Sequence, residues 1–99
     1  MAKVVKWTLR GLRAYGEQLE FRSQQYTDKE LNQLQDKVDA QIEQLTRFPE
    51  RGLASKQMKT VRRVTIGKYL QMFYRVHGNS LIIIYFSDSR QAPDDNPYL

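Results

Sequence analysis

The residues of this chain that could do chemistry are cations interleaved with aromatics: Lys56, Lys59, Arg62, Arg63 and Arg75, with Tyr69 and Phe73 among them. Guanidinium forks hold phosphate oxygens two at a time, and aromatic faces stack on unpaired bases. Such a set could bind nucleic acid. It could also cut RNA without a metal: a lysine or tyrosine of shifted pKa would take the 2′-OH proton, and arginines would hold the charge on the scissile phosphate. The same pattern equally describes a solvated sheet face whose aromatics cover apolar backbone. Which of Arg62 and Arg63 faces outward depends on strand register, because a slip of one residue exchanges the two faces.

The distribution of charge sharpens that reading. Residues 1–50 hold eight basic and eight acidic side chains and are neutral. Residues 51–87 hold seven basic side chains and no acid over 37 positions, which points to an anionic partner, either nucleic acid or a carboxylate-rich chain. Other chemistries lack their residues. Without cysteine there is no disulfide, thiolate metal site or cysteine nucleophile. The one histidine, His77, sits beside Gly78 and reads as a turn residue. Asp88, Asp94 and Asp95 have no histidine near them, so no metal site is expected. The five glycines are scattered outside any phosphate-loop spacing, and no cofactor is expected.

These residues must be positioned by elements legible in the pattern. Ninety-nine residues, 40% hydrophobic and 27% charged, make one domain over 1–99, with an irregular polar tail from 91 to 99. Residues 3–8 are β-branched and aromatic enough for a strand. Leu12, Tyr15, Leu19 and Tyr26 mark one apolar stripe of a helix over 9–26. Thr27-Asp28-Lys29-Glu30 is a capping box opening a second helix, whose stripe is Leu31, Leu34, Val38, Ile42 and Leu45; Phe48-Pro49 and Gly52 end it. Residues 61–66, 69–76 and 81–86 are strands punctuated by Gly67-Lys68 and His77-Gly78-Asn79-Ser80. In the middle strand, period-2 alternation sends Leu70, Met72, Tyr74 and Val76 to the helices. Tyr69, Gln71, Phe73 and Arg75 take the other face, so Gln71→Ala should cost little beside Met72→Ala. The expected fold is α+β, β-α-α-β-β-β, an antiparallel sheet with a helical hairpin on one face. The longest apolar run, residues 81–86, falls far short of the roughly 20 residues of a membrane helix. With no signal-peptide core at the N-terminus, a cytoplasmic place and no membrane partner are expected.

The order of these pieces resembles the RelE/ParE family of toxins from bacterial toxin–antitoxin pairs, over residues 3 to about 93. The resemblance rests on Trp7-Thr8, Phe48-Pro49 with Gly52, and Arg62-Arg63-Val64-Thr65-Ile66. It rests above all on Phe73-Tyr74-Arg75-Val76-His77-Gly78-Asn79-Ser80-Leu81-Ile82-Ile83-Ile84, followed by Ser89-Arg90-Gln91-Ala92-Pro93. It implies a toxin neutralised by a cognate antitoxin with a flexible acidic segment, which Lys56, Arg62, Arg63, Tyr69, Gln71, Phe73 and Arg75 would bind, as they would nucleic acid. ParE-like members inhibit DNA gyrase, whereas RelE-like members cut messenger RNA on the ribosome. For the second activity the resemblance points to Lys56, Lys59, Arg62, Arg63, Arg75 and Arg90. Gln71, however, stands where a third-strand arginine belongs, and Tyr98 alone could serve as a late tyrosine. The nuclease set is thus incomplete, and a ParE-like toxin that acts by binding is the leading expectation; a remnant that only binds its partner is a third.

Overall fold

The computed structural model describes residues 2–90 and 96–98. Its elements are β1 (Val4–Trp7), α1 (Leu9–Ser23), α2 (Asp28–Arg47), β2 (Leu53–Ala54), β3 (Val61–Ile66), β4 (Leu70–His77) and β5 (Ser80–Asp88). One sheet runs in the order β1-β5-β4-β3-β2. β3, β4 and β5 form the expected antiparallel meander, while β1 lies parallel to β5. Gly67 and Gly78, at φ of +68° and +57°, supply the left-handed turn conformations that these two hairpins need. β2, only two residues long, was not expected; it adds an edge to β3 through Leu53↔Arg63 and Ala54↔Arg62. Among the described residues no helix is long and apolar enough to cross a membrane. Of the tail expected from 91 to 99, only 96–98 fall among the described residues; Asp94 and Asp95 lie outside them.

α2 follows its sequence pattern closely. The Thr27 hydroxyl accepts from the Glu30 N–H at 3.1 Å, and the Glu30 carboxylate accepts from the Thr27 N–H at 3.1 Å. That contact lowers the Glu30 pKa, the backbone bond foremost. Leu34, Val38, Ile42 and Leu45 are buried against Ile66, Leu70, Met72, Tyr74, Leu81, Ile83 and Phe86. Trp7, Tyr15 and Phe86 stack at centroid distances of 4.7–5.8 Å and extend this core beneath α1.

α1 departs from its pattern. It stops at Ser23, so Tyr26 lies in the turn before α2, and Leu12 is 53% exposed. The buried face is Gly11, Ala14 and Arg22, flanked by half-buried Tyr15 and Leu19. Small residues rather than large apolar ones face the sheet because the helix sits almost on β5. A Cβ on Gly11 would lie 2.5 Å from the Ile83 carbonyl oxygen. Thr8 caps the helix, its hydroxyl accepting from the Gly11 N–H at 2.9 Å. Gly16, on the outer side, meets nothing within 4 Å. The same substitution should therefore have opposite signs along one helix. Gly16→Ala is expected to stabilise by up to about 1 kcal/mol, and Gly11→Ala to destabilise by about 1–3 kcal/mol through overpacking. Urea denaturation of the two variants measures both.

β4 keeps its alternation, with one correction. Leu70, Met72 and Tyr74 are buried under the helices, but Val76 is 39% exposed because the hairpin outruns the helical cover. Tyr69 lies in the turn before the strand. A register shift opposite Phe73/Tyr74, whose partners are Tyr85 and Ile83, leaves Ile84 as a bulge in β5. Ile84 joins Val61 and Phe73 in a second, smaller apolar cluster on the face away from the helices.

Candidate functional site

The register settles the Arg62/Arg63 ambiguity. Arg63 pairs with Phe73 and Val61 with Arg75, so Arg63 and Arg75 belong to the outer face of the sheet, away from the helices. Arg62 pairs with Tyr74 on the helix side. Its guanidinium donates to the carbonyls of Glu50 at 3.2 Å and Gly52 at 2.7 Å. Beside it the Tyr74 hydroxyl donates to the Pro49 carbonyl at 2.8 Å and accepts from the Gly52 N–H at 3.0 Å. Burial pushes the Tyr74 phenol up against the opposing pull of the Gly52 N–H and the Arg62 charge. A Cβ on Gly52 would sit 2.5 Å from the Tyr74 hydroxyl, which is the physical reason for glycine there. Arg62 and Tyr74 thus clamp the segment after α2 onto the sheet, and Arg62 is used structurally.

The outer face is covered at its centre. Tyr98 folds back over Phe73 and Tyr85 at centroid distances of 5.9 and 5.5 Å, leaving Phe73 fully buried. The Arg10 guanidinium lies 5.1 Å from the Tyr85 ring and 5.3 Å from that of Tyr98, and it donates to the Tyr98 hydroxyl at 3.2 Å. Asn96 donates to the Ser87 hydroxyl at 3.0 Å, which donates to the Gln71 side chain at 3.3 Å. Two expected contact residues, Phe73 and Gln71, are therefore buried and present nothing to a partner in this structure. Arg75 and Lys56 are exposed and Arg63 is half-buried.

Two clefts meet at exposed Leu53. One, of about 320 Å³, runs along residues 53–56 between Arg63 and Tyr98. The other, of about 410 Å³, is lined by Gln41, Arg51, Leu53, Val64, Thr65 and the buried Gln71, again with Arg63. The second follows from the shortness of β2. β2 pairs only with Arg62 and Arg63, so no strand among the described residues pairs with the outer edge of β3 along 64–66. Bare β-edges accept extended peptides, and this one is flanked by cations.

The remaining expected residues lie apart. Lys59 is exposed in the loop before β3. Arg90 is at the far end of β5, where its Nε and Nη2 donate to Asp88 at 2.9 and 2.6 Å and its guanidinium stacks 4.1 Å over Tyr69. From the helix side, Arg22 donates to Asp88 at 3.0 Å and to Gln18 at 2.6 Å. Arg22 and Asp88 are both buried. The Arg90 bonds, then Arg22, hold the Asp88 carboxyl below its ordinary range against the cost of burial, and Asp88 in turn raises Arg90. The six cations expected for RNA cleavage do not converge. Arg63 and Lys56 share a cleft, Arg62 faces the other side, and Arg90 is neutralised at the sheet's end. Sequence reasoning missed Arg10 and Arg51. Arg51 stood at the start of the acid-free run, but no spacing links Arg10 to a tyrosine near the opposite terminus.

A helical hairpin on one face of a β-meander, with a cationic outer face and edge, is the architecture these features define. No family model and no curated protein matches the sequence. Among solved structures, the chain is similar to one from "Chromosomal ParDE TA system from P. aeruginosa", with a TM-score of 0.71 and 15% identity, covering 88% of this chain and 96% of that one. At that identity the likeness is one of fold.

Proposed function

We propose that this chain is the toxin of a type II toxin–antitoxin pair, acting in the cytoplasm by binding an essential nucleic-acid machine, DNA gyrase first. A cognate antitoxin restrains it by laying an acidic extended segment along the outer edge of β3. The observation that carries this reading is that edge: open backbone along 64–66 beside Arg51, Arg63 and Lys56, in a stretch without a single carboxylate. Backbone pairing would supply affinity there, and the partner's carboxylates would relieve cations that otherwise repel one another. Likeness of fold to a ParDE component supports the same assignment.

Binding rather than cleavage is favoured because a phosphorane needs several cations aimed at one point, and a single such donor is worth about 3–4 kcal/mol, or 10²–10³ in rate. Gln71 is buried and neutral, and Arg90 is engaged by Asp88. One observation favours the second reading, a ribosome-dependent endoribonuclease: Lys56, Arg63 and Tyr98 line one cleft.

Induction of the chain in cells, with primer extension on messenger RNA and a supercoiling assay on purified gyrase, separates the two. Growth arrest with inhibited supercoiling, no A-site cleavage and toxicity surviving Lys56→Ala with Lys59→Ala is the expected result. Cleavage abolished by Lys56→Ala, Lys59→Ala or Arg90→Ala would establish the nuclease instead. No growth defect at all would leave a partner-binding remnant. Association with the antitoxin should slow as salt rises, and slow further in Arg51→Ala and Arg63→Ala; a salt-independent on-rate contradicts the docking edge.

A further inference from the structure

The side of α1 turned away from the sheet holds two large apolar residues, Leu9 at 62% and Leu12 at 53% exposure, followed by Gly16, around which a Cβ would find open space. At 100° per residue, positions 9, 12, 16 and 20 form one stripe opposite the buried Gly11, Ala14 and Arg22. Among the described residues this stripe stays largely uncovered, and a mid-helix glycine there weakens the helix without a contact of its own. What such a glycine permits is close approach of another backbone.

The charges along the stripe select the occupant. Arg13 flanks its first half and Glu20 lies in its second half. Among the described residues neither forms an ion pair. A parallel neighbour of the same sequence would set Arg13 against Arg13. An antiparallel one does the reverse. A two-fold axis at Gly16 sets position 12 opposite position 20 of the second copy, which brings each Arg13 within reach of the other copy's Glu20 and buries Leu12 over the crossing. The surface is therefore complementary to itself, as an isologous contact requires.

We infer that two copies of this chain associate through an antiparallel α1–α1 contact crossing at Gly16, held by Leu9, Leu12 and a reciprocal pair of Arg13–Glu20 bridges. The contact does not use β3, so it is independent of the antitoxin-docking edge and compatible with it. One short helix pair buries less than the roughly 1,200–2,000 Å² of a standard stable complex, so the dimer is weak and governed by concentration.

Sedimentation velocity of the purified chain over rising concentration tests this. The unaltered chain should move from monomer towards dimer, Arg13→Glu and Glu20→Arg should each remain monomeric, and the two changes together should restore the dimer. All three positions are solvent-facing, so folding is not at stake. Because the chain has no cysteine, Gly16→Cys should form a disulfide dimer under mild oxidation, while Asn32→Cys on the exposed side of α2 should not. A chain monomeric at every concentration, a double reversal that restores nothing, or equal cross-linking from both cysteines would each overturn the inference.

Discussion

Replacing Asp88 by alanine is expected to destabilise the fold by about 3–5 kcal/mol, because it leaves the Arg22 guanidinium buried and uncompensated. Arg22 would keep only its contacts with Gln18, and the tie between the last turn of α1 and the end of β5 would be gone. The exposed partner is not equivalent: Arg90→Ala leaves Asp88 still paired with Arg22, so its loss should be clearly smaller. Because the folded-state pKa of Asp88 is lowered below the ordinary 3.8, its contribution is fully present above that value and is lost as pH falls through the folded pKa. Urea denaturation at neutral pH and again near pH 3 should show acid sensitivity that Asp88→Asn reduces, the remainder including that of Glu30. An alanine variant as stable as the parent would mean the pair contributes nothing.

Met72→Ala should cost about 2–5 kcal/mol, since Met72 is fully buried where β4 crosses beneath α2 and truncation leaves a cavity. Its neighbour Gln71, which alternation placed on an open face, is not the silent position that pattern implied. Gln71 is buried and accepts from Ser87, so Gln71→Ala removes the acceptor of the buried Ser87 proton while Asn96 still donates to that hydroxyl, at about 1–3 kcal/mol. Thermal denaturation of both variants is the check. Near-neutral behaviour of Gln71→Ala would show that the 96–98 segment does not rest on the sheet.

Where the sequence was readable, local chemistry and tertiary context agreed. The Thr27–Glu30 box and the stripe from Leu34 to Leu45 define α2 with no help from elsewhere, and the alternation of Leu70, Met72 and Tyr74 orients the sheet. α1 was misread because the closeness of its approach to β5 makes Gly11 and Ala14 the buried positions, and because one buried residue is an arginine. Apolar periodicity is blind to both. The candidate site was legible as a set of residue types but not as a place. A contiguous acid-free stretch alternates between the two faces of a sheet, so adjacent Arg62 and Arg63 end on opposite sides. Register, which fixes that choice, and the return of Tyr98 over Phe73 depend on contacts distant in sequence.

The parallel pairing of β1 with β5 has a kinetic side. Among the described residues the first strand finds its one sheet neighbour in β5, and α1 packs chiefly on that same strand. Closing so long a loop is slow compared with forming the local α2 turn or the β3–β4 hairpin. On a translating ribosome, then, residues up to about 80 must be made before β1 and α1 meet the strand they chiefly settle on, with only α2 to pack against earlier. A nascent chain lacking residues 80–88 would expose the apolar undersides of both, so the finished surface comes into existence only once β5 has been made.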